Sequence, residues 1–173
     1  MLKKIKAEFF LLSIFIIILF FSILTSGLIF FSYSTYKNFK WGKFSPGHLE
    51  FYLYENLEVK QKKNKIRIVF LGDSRIYQWK NLPEIDSCEI ISRGINGDTT
   101  AGSLLRLEYD VIALRPDIVL IQLGINDLTT IGVWPERYDY IKNNCITNLD
   151  KIIDILLKEN IDVIVLTIFP NSD

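Results

Sequence analysis

The sequence predicts an α/β domain built on a parallel sheet and preceded by one apolar helix. Over residues 65–173, short apolar runs alternate with segments of helical periodicity, which is the pattern of α/β proteins. Upstream of them, no charged residue occurs from Phe9 to Tyr36. A helix needs about 20 apolar residues to cross the hydrocarbon core of a membrane. Because this run is longer, we expect a transmembrane helix.

The composition is that of a folded protein and gives no sign of a nucleic-acid partner. The chain has 173 residues, enough for one domain of ordinary size, and 49% of them are hydrophobic. Its 20 basic and 20 acidic side chains cancel, whereas a nucleic-acid-binding domain normally carries a basic excess. Cys88 and Cys145 lie far apart in apolar surroundings without metal-ligand spacing, so we expect buried thiols.

We interpret the apolar N-terminal segment as an uncleaved signal anchor. A cleaved signal peptide is the alternative, since lysines within the first six residues form a basic n-region. However, the apolar run exceeds the usual h-region of about 7–15 residues, and no Ala-x-Ala-like site follows it. Lysines flank both ends of the span, and the short N-terminal tail favours a cytoplasmic N-terminus. We therefore expect a single-pass protein of the cell membrane: a cytoplasmic tail and anchor (1–36), a membrane-proximal connector (37–64) and an extracytoplasmic domain (65–173).

Four strands and two longer helices are predicted within the domain. The strands are Ile66–Leu71, Cys88–Ile91, Asp117–Leu123 and Ile161–Phe169. The first is almost continuously apolar, as in strands that are buried on both faces. Apolar residues at helical spacing predict one helix from about Leu104 to Leu114, ended by Pro116, and a second with an apolar stripe from Tyr138 to Leu156.

Glycine and small polar residues follow each of the first three strands. The segments are Gly72-Asp73-Ser74, Ser92–Thr100 and Gly124–Asp127. One such segment alone would be an ordinary turn. However, the carboxyl ends of parallel strands form the functional crevice of α/β sheets, so three segments on one rim predict a ligand site. A phosphate site fits less well, because neither a G-x-G-x-x-G nor a G-K-[ST] motif is present.

The residue types on this rim suit acyl transfer. A serine hydroxyl at the first strand end can attack an ester carbonyl. The tetrahedral intermediate then needs hydrogen-bond donors around its oxyanion, and one such donor is commonly worth about 3–4 kcal/mol. A glycine N–H in the second segment and an asparagine amide in the third are donors of the required kind.

These segments resemble the sequence blocks of the SGNH (GDSL-type) esterases and acylhydrolases. The matching residues are Gly72, Asp73 and Ser74, then Gly97, then Gly124, Asn126 and Asp127. The stretch "RGINGDTTAGSLLRLEYDVIALRPDIVLIQLGINDL" is particularly similar to members related to platelet-activating-factor acetylhydrolase. The resemblance extends roughly from Ile66 to Phe169. It implies a flavodoxin-like, doubly wound parallel sheet and catalysis without a metal or cofactor.

The resemblance also assigns roles to individual residues. It makes Ser74 the nucleophile. It forms the oxyanion hole from the backbone N–H groups of Ser74 and Gly97 together with the side-chain amide of Asn126. Gly94 is the less suitable alternative to Gly97.

The family's fourth block, an Asp-x-x-His that supplies the general base and the acid orienting it, has no match. The only histidine, His48, precedes the first strand, where we expect a packed or solvated connector residue. We therefore expect the chain to be an N-terminal fragment or truncated product that lacks the C-terminal part of the domain. Loss of a triad member can cost about 10⁴ to 10⁶ in rate, so we expect the chain as given to be nearly inactive.

The sequence leaves the function open among three alternatives. The first is hydrolysis of a small acyl ester on a lipid, a glycan or a cell-envelope polymer. The second is a membrane-bound O-acyltransferase with the same site, because water and a sugar hydroxyl attack the same acyl-enzyme. The third is a non-catalytic, membrane-tethered binding module that keeps the rim without the base. The oligomeric state is not predicted.

Several polar and aromatic residues near the rim have structural interpretations. We expect Asp73 and Asp127 to organise their loops by accepting backbone N–H groups, and Asp98 and Thr99 to cap the following helix. Arg93 and Arg106 are expected to pair with local carboxylates. Trp79 and Trp134 either line an acyl or sugar pocket or simply pack against the domain.

Overall fold

The computed structural model describes residues 2–44, 48–59 and 65–168, with the backbone alone over 2–8 and 38–44. Two compact units divide the chain, residues 1–44 and residues 45–173. The predicted connector residues 45–47 and 60–64 and the final residue of the fourth predicted strand, Phe169, lie outside the described residues.

The first unit is a single helix, α1 (Leu2–Phe44). Its segment Phe9–Lys37 has a mean hydropathy of 2.8 and is long and apolar enough to cross a membrane. At 1.5 Å per residue this segment extends for about 43 Å, more than the roughly 30 Å of a hydrocarbon core. The large apolar side chains from Phe9 to Phe31 are all exposed. The helix continues past residue 36, where the sequence interpretation ended the anchor.

The second unit contains a four-stranded sheet in which every neighbouring pair is parallel. The strands are β1 (Ile66–Gly72), β2 (Cys88–Gly94), β3 (Ile118–Gln122) and β4 (Asp162–Val165). Their order in the sheet is β2-β1-β3-β4. The predicted α/β class is confirmed, and this order is that of the first four strands of a flavodoxin-like sheet.

Two strand boundaries differ from the sequence prediction by more than one residue. β2 continues three residues past Ile91, because the polar pair Ser92 and Arg93 stays in register with Phe70 and Leu71 of β1. Conversely, β4 ends at Val165 although the apolar pattern continues.

Within the described residues, five shorter α-helices connect or precede the strands. They are α2 (Leu53–Glu58), α3 (Ser74–Gln78), α4 (Thr100–Asp110), α5 (Ile125–Thr129) and α6 (Tyr138–Lys158). The first predicted helix corresponds to α4 and a 3₁₀ turn at Ile112–Leu114. The helical path ends there because Arg115, which precedes Pro116, takes a left-handed conformation with φ 52°.

The core lies between one face of the sheet and helices α4 and α6. Its members alternate along the strands, as period-two geometry requires. They include Val69, Leu71, Val119 and Ile121 from the sheet and Leu107, Val111, Ile152 and Leu156 from the helices. The opposite face is less covered: Ile66 is 47% exposed, whereas Phe70 is buried in contact with the ring of Trp79 at 5.4 Å. Burial of β1 on both faces, expected from its sequence, therefore holds only toward its carboxyl end.

A first prediction concerns Gly94, the last residue of β2. A Cβ there would overlap the backbone nitrogen of Tyr77 and lie 2.7 Å from the carbonyl carbon of Ile76, both in α3. We expect Gly94→Ala to lower the free energy of unfolding by about 3 kcal/mol, because backbone atoms of a helix cannot move aside individually. Guanidinium unfolding of the detergent-solubilised chain, followed by tryptophan fluorescence, measures the change.

Gly132→Ala is the matched control, because no atom lies within 4 Å of its added Cβ. It should change the free energy of unfolding by less than about 0.5 kcal/mol. Equal stability of Gly94→Ala and the unsubstituted chain would contradict the close approach of β2 and α3.

A second prediction concerns the two thiols. Cys145 is buried as expected, but Cys88 is only half-buried, because it opens β2 at the edge of the sheet. Burial, assisted by the charge of Asp127, raises the pKa of Cys145 to about 11, so little thiolate is present at pH 8. In the folded chain at pH 8, a thiol reagent should therefore modify Cys88 and leave Cys145 unmodified until denaturant is added. Rapid modification of Cys145 in folded Cys88→Ser would contradict this burial.

Candidate active site

The carboxyl ends of β1, β2 and β3 lie side by side. Gly72 at the end of β1 pairs with Gly94 on one side and Gln122 on the other. Hydrogen bonds continue just beyond the strands, from Ile95 N–H to the Gly72 carbonyl at 3.0 Å and from Asp73 N–H to the Gln122 carbonyl at 3.3 Å. The loops that follow these three strands therefore begin side by side at the same edge of the sheet. The strand order reverses at β1, which is where a crevice forms in such sheets.

Ser74 is the first residue of α3 and follows β1 after one intervening residue, Asp73. The buried Asp73 carboxylate accepts the N–H of Arg75 at 2.9 Å, and its backbone carbonyl accepts the N–H of Tyr77 at 3.0 Å. Asp73 is thus the N-cap of this short helix, which confirms the structural role expected for it. Ser74 itself is half-buried on the rim.

The loop after β2 turns at Gly97, whose φ is 73°. The Asp98 N–H closes the turn on the carbonyl of Ile95 at 3.2 Å. Gly97 is exposed, and a Cβ at this position would meet no atom within 4 Å. Glycine therefore suits this position for its backbone conformation. At Gly94, by contrast, glycine is required by the packing against α3.

The loop after β3 holds the loop after β2 through two adjacent residues. Asn126 donates from Nδ2 to the carbonyl oxygen of Asp98 at 2.8 Å, directly after Gly97. Asp127 accepts from the backbone N–H of Thr100 at 3.0 Å and from its hydroxyl at 2.5 Å. The loop-organising role expected for Asp127 is confirmed. The structure thus brings Asn126 and the Gly97 turn together at the end of β1.

A buried ionic cluster lies among these loops, centred on Arg106 in α4. The Arg106 guanidinium is fully buried and pairs with Asp98 at 2.8 Å and with Asp110 at 3.2 Å. It also donates to the carbonyls of Arg93 at 2.8 Å and Gly72 at 3.4 Å. One side chain therefore joins the ends of β1 and β2 to the loop that carries Gly97.

The expectation for Asp98 and Thr99 is only partly right. Thr99 is the N-cap of α4, since its hydroxyl oxygen accepts the N–H of Gly102 at 3.2 Å. The Asp98 carboxylate accepts the N–H of the N-cap residue Thr99 at 2.9 Å, but no N–H within the helix. Its other oxygen accepts from the Ser103 hydroxyl at 2.6 Å and pairs with Arg106. A carboxylate that faces a buried guanidinium is better compensated there than at a helix end.

Tyr52 is a residue near the rim that the sequence interpretation did not single out. Its hydroxyl donates to the carbonyl of Gly94 at 2.5 Å across a separation of 42 residues. Burial raises the pKa of Tyr52 to about 12, so the hydroxyl keeps its proton at neutral pH. His48, in the same segment, is half-buried and its carbonyl accepts the N–H of Phe51 at 2.9 Å.

The two candidate rim tryptophans are both partly exposed. Trp79 is 43% exposed and packs against Phe70, while Trp134 is 49% exposed with the Arg137 guanidinium 5.5 Å from its ring centroid. Each ring therefore has one packing contact within the domain and leaves its remaining surface exposed. Across the described parts of the chain, no group of three or more histidine, cysteine, aspartate or glutamate side chains is arranged to hold a metal ion.

Comparison with known proteins identifies relatives. A family model described as the GDSL-like lipase/acylhydrolase family matches residues 70–173. A search of curated proteins finds no match. Among solved structures, a GDSL-like lipase from Bacteroides thetaiotaomicron is 25% identical with a TM-score of 0.53 over 69% of this chain and 57% of that chain. An acetyl xylan esterase is 25% identical with a TM-score of 0.51 over 58% of this chain and 57% of that chain.

A third solved structure supports the fold alone. It is a catalytic mutant of an acetylxylan esterase from Geobacillus stearothermophilus, with 23% identity and a TM-score of 0.52 over 63% of each chain. The chain thus spans less than two thirds of the length of these relatives. The matched family segment covers more than half of the chain and includes all three strand ends of the rim, so this chain belongs to the GDSL-like lipase/acylhydrolase family.

Proposed function

We propose that the protein is a serine ester hydrolase that cleaves a small acyl ester through an acyl-serine intermediate on Ser74. The observation that carries the proposal is the hydrogen bond from the Asn126 amide to the Asp98 carbonyl at 2.8 Å. It fixes an amide donor beside the Gly97 turn, on the strand end next to the one that carries Ser74. Membership of an acylhydrolase family supports the same chemistry.

The proposed reaction proceeds in two halves. The Ser74 oxygen bonds to the ester carbonyl carbon while its proton passes to a base, and the carbonyl electron pair moves onto oxygen. Collapse of this tetrahedral intermediate expels the alcohol, which takes the proton. Water then attacks the acyl-serine in the same way and releases the carboxylic acid. Both halves form an oxyanion at the same place.

The donors proposed for that oxyanion are the backbone N–H groups of Ser74 and Gly97 and the side-chain amide of Asn126. An amide nitrogen carries two hydrogens, so one can hold the Asp98 carbonyl while the other donates to the oxyanion. Donors held in place before reaction stabilise the transition state without a cost of reorganisation. The exposed position of Gly97 is compatible with a ligand approaching its backbone.

The proposal requires a general base from outside these 173 residues. The family's Asp-x-x-His block has no counterpart in the sequence, and its only histidine, His48, lies before β1. We expect the 173-residue chain alone to be nearly inactive, because serine proteases and related enzymes lose about 10⁴ to 10⁶ in rate without one triad member. No metal or cofactor is required by this mechanism.

We further propose that the enzyme is held in the cell membrane by α1 as a signal anchor, with the catalytic domain outside the cytoplasm. The support is the mean hydropathy of 2.8 over Phe9–Lys37 and the short N-terminal tail, which favours a cytoplasmic N-terminus. An ester of a lipid, glycan or cell-envelope polymer would then be the accessible substrate. Product analysis with and without a glycan acceptor distinguishes hydrolysis from acyl transfer to a sugar.

A third prediction tests the nucleophile. In the full-length protein, a fluorophosphonate should label Ser74 covalently, because it reacts with activated serines, and Ser74→Ala should abolish the labelling. Ser87→Ala, at an exposed serine before β2, is the matched control and should leave labelling intact. Mass spectrometry of the labelled peptide gives the site. Unchanged labelling of Ser74→Ala would show that the nucleophile lies elsewhere.

A fourth prediction tests the oxyanion donor. Asn126→Ala in the full-length protein should lower kcat by about 10²–10³ with little change in KM, because the lost donor acts in the transition state. Asn148→Ala is the control, since its amide lies in the same region and donates to the Thr100 hydroxyl at 3.3 Å. Steady-state hydrolysis of a chromogenic acetyl ester measures both. Normal turnover in Asn126→Ala would refute the assigned role.

A further inference from the structure

We propose that residues 48–59, which precede the sheet, are part of the active-site scaffold, and that Tyr52 is a positioning residue for the loop that carries Gly97. This inference rests on the proposed function of Ser74, Gly97 and Asn126. It adds to the site a segment that lies outside the three strand-end motifs of the rim. The segment is called the scaffold segment below.

The first observation is the peptide between Gly94 and Ile95. Its N–H donates to the carbonyl of Gly72 in β1 at 3.0 Å. The N–H and C=O of a trans peptide point in opposite directions, so the Gly94 carbonyl is directed away from β1. Among the described strands β2 is the edge of the sheet on that side, and no neighbouring strand provides a donor. The Tyr52 hydroxyl donates to this carbonyl at 2.5 Å.

The second observation is where this peptide lies. It is the last one before the turn that carries Gly97, and the Ile95 carbonyl accepts the Asp98 N–H that closes the turn. Gly94 also packs against the backbone of α3, the helix that begins with Ser74. The Gly94–Ile95 peptide is therefore held by a hydrogen bond to β1, by a hydrogen bond from Tyr52 and by contact with α3, the helix that begins with Ser74. A shift here would move Gly97 relative to Ser74.

The third observation is that Tyr52 is itself fixed. It is 5% exposed, and the Arg93 guanidinium lies 4.5 Å from its ring centroid. Arg93 also donates to Asn56 Oδ1 from Nη2 at 2.8 Å and from Nε at 3.1 Å. Asn56 in turn donates to Asp110 Oδ1 at 2.8 Å. Since Asp110 pairs with Arg106, the scaffold segment joins the ionic cluster that holds Asp98.

The hydroxyl of Tyr52 acts as a constant donor. Because burial raises its pKa to about 12, it remains protonated throughout the pH range in which esterases are assayed. The contact therefore predicts a fixed support of the loop and no pH-dependent switch near neutrality. Loss of the hydroxyl alone would leave the ring and its contact with Arg93 in place.

The test, a fifth prediction, compares Tyr52→Phe with Tyr54→Phe in the full-length protein. Tyr54 lies two residues further on, in helix α2, and is 79% exposed, so it is the matched control. Without its donor, the buried Gly94 carbonyl loses a hydrogen bond of ordinary strength. We expect about tenfold faster hydrogen exchange over residues 95–98 and a kcat about three- to tenfold lower, with KM within twofold. Exchange in α6 should stay unchanged, and Tyr54→Phe should match the unsubstituted protein.

Three results would overturn the proposal. One is unchanged exchange over residues 95–98 in Tyr52→Phe. Another is faster exchange by the same factor in both that loop and α6, which would mean a general loss of stability without positioning. The last is faster exchange in the loop with unaltered kcat, which would leave Tyr52 a structural residue only. Hydrogen exchange can be measured without catalysis. Failure of the serine mechanism would appear as absent labelling of Ser74, whereas failure of this inference would appear in the exchange comparison.

Discussion

The buried guanidinium of Arg106 is the interaction on which the candidate site depends. Its two carboxylate partners, Asp98 and Asp110, are themselves buried, so the three charges are shielded from bulk solvent and stabilise one another. Removing one member of such a cluster commonly costs about 3–5 kcal/mol, because the remaining charge is left uncompensated. The same guanidinium bonds the Gly72 and Arg93 carbonyls, so the geometry of the strand ends is linked to the stability of the domain.

This linkage explains how an exposed loop can hold a catalytic geometry. Gly97 itself has no side chain to pack, and its position is set by the residues on both sides of it in sequence. Asp98 is held by Arg106 through its carboxylate and by Asn126 through its carbonyl, while Ile95 is held by β1. A donor that must meet a developing charge benefits from such fixed supports, because they are in place before the reaction begins.

Local patterns predicted the strands and the rim, and distant contacts explain what they missed. Ser74 and Asp73 were identifiable because they directly follow the apolar run that predicts β1 and match a sequence block of the family. The end of β2 was placed too early, since Ser92 and Arg93 are polar and only their pairing with β1 reveals them as strand. The partner of Asp98 likewise depends on the buried position of Arg106. The bond between Tyr52 and Gly94 spans 42 residues and leaves no periodic trace in the sequence.

The same distant contacts bear on where the folded unit begins. The change from mixed composition to regular strands suggested a domain that starts at residue 65. Yet Tyr52 and Asn56 bond to β2 and α4, and Val59 packs against the apolar core. Residues 48–59 thus contribute buried polar contacts to the folded unit. Composition indicates where regular secondary structure starts. The extent of the folded unit is set by the side chains that form hydrogen bonds to its buried polar groups. Here these include side chains that precede the sheet.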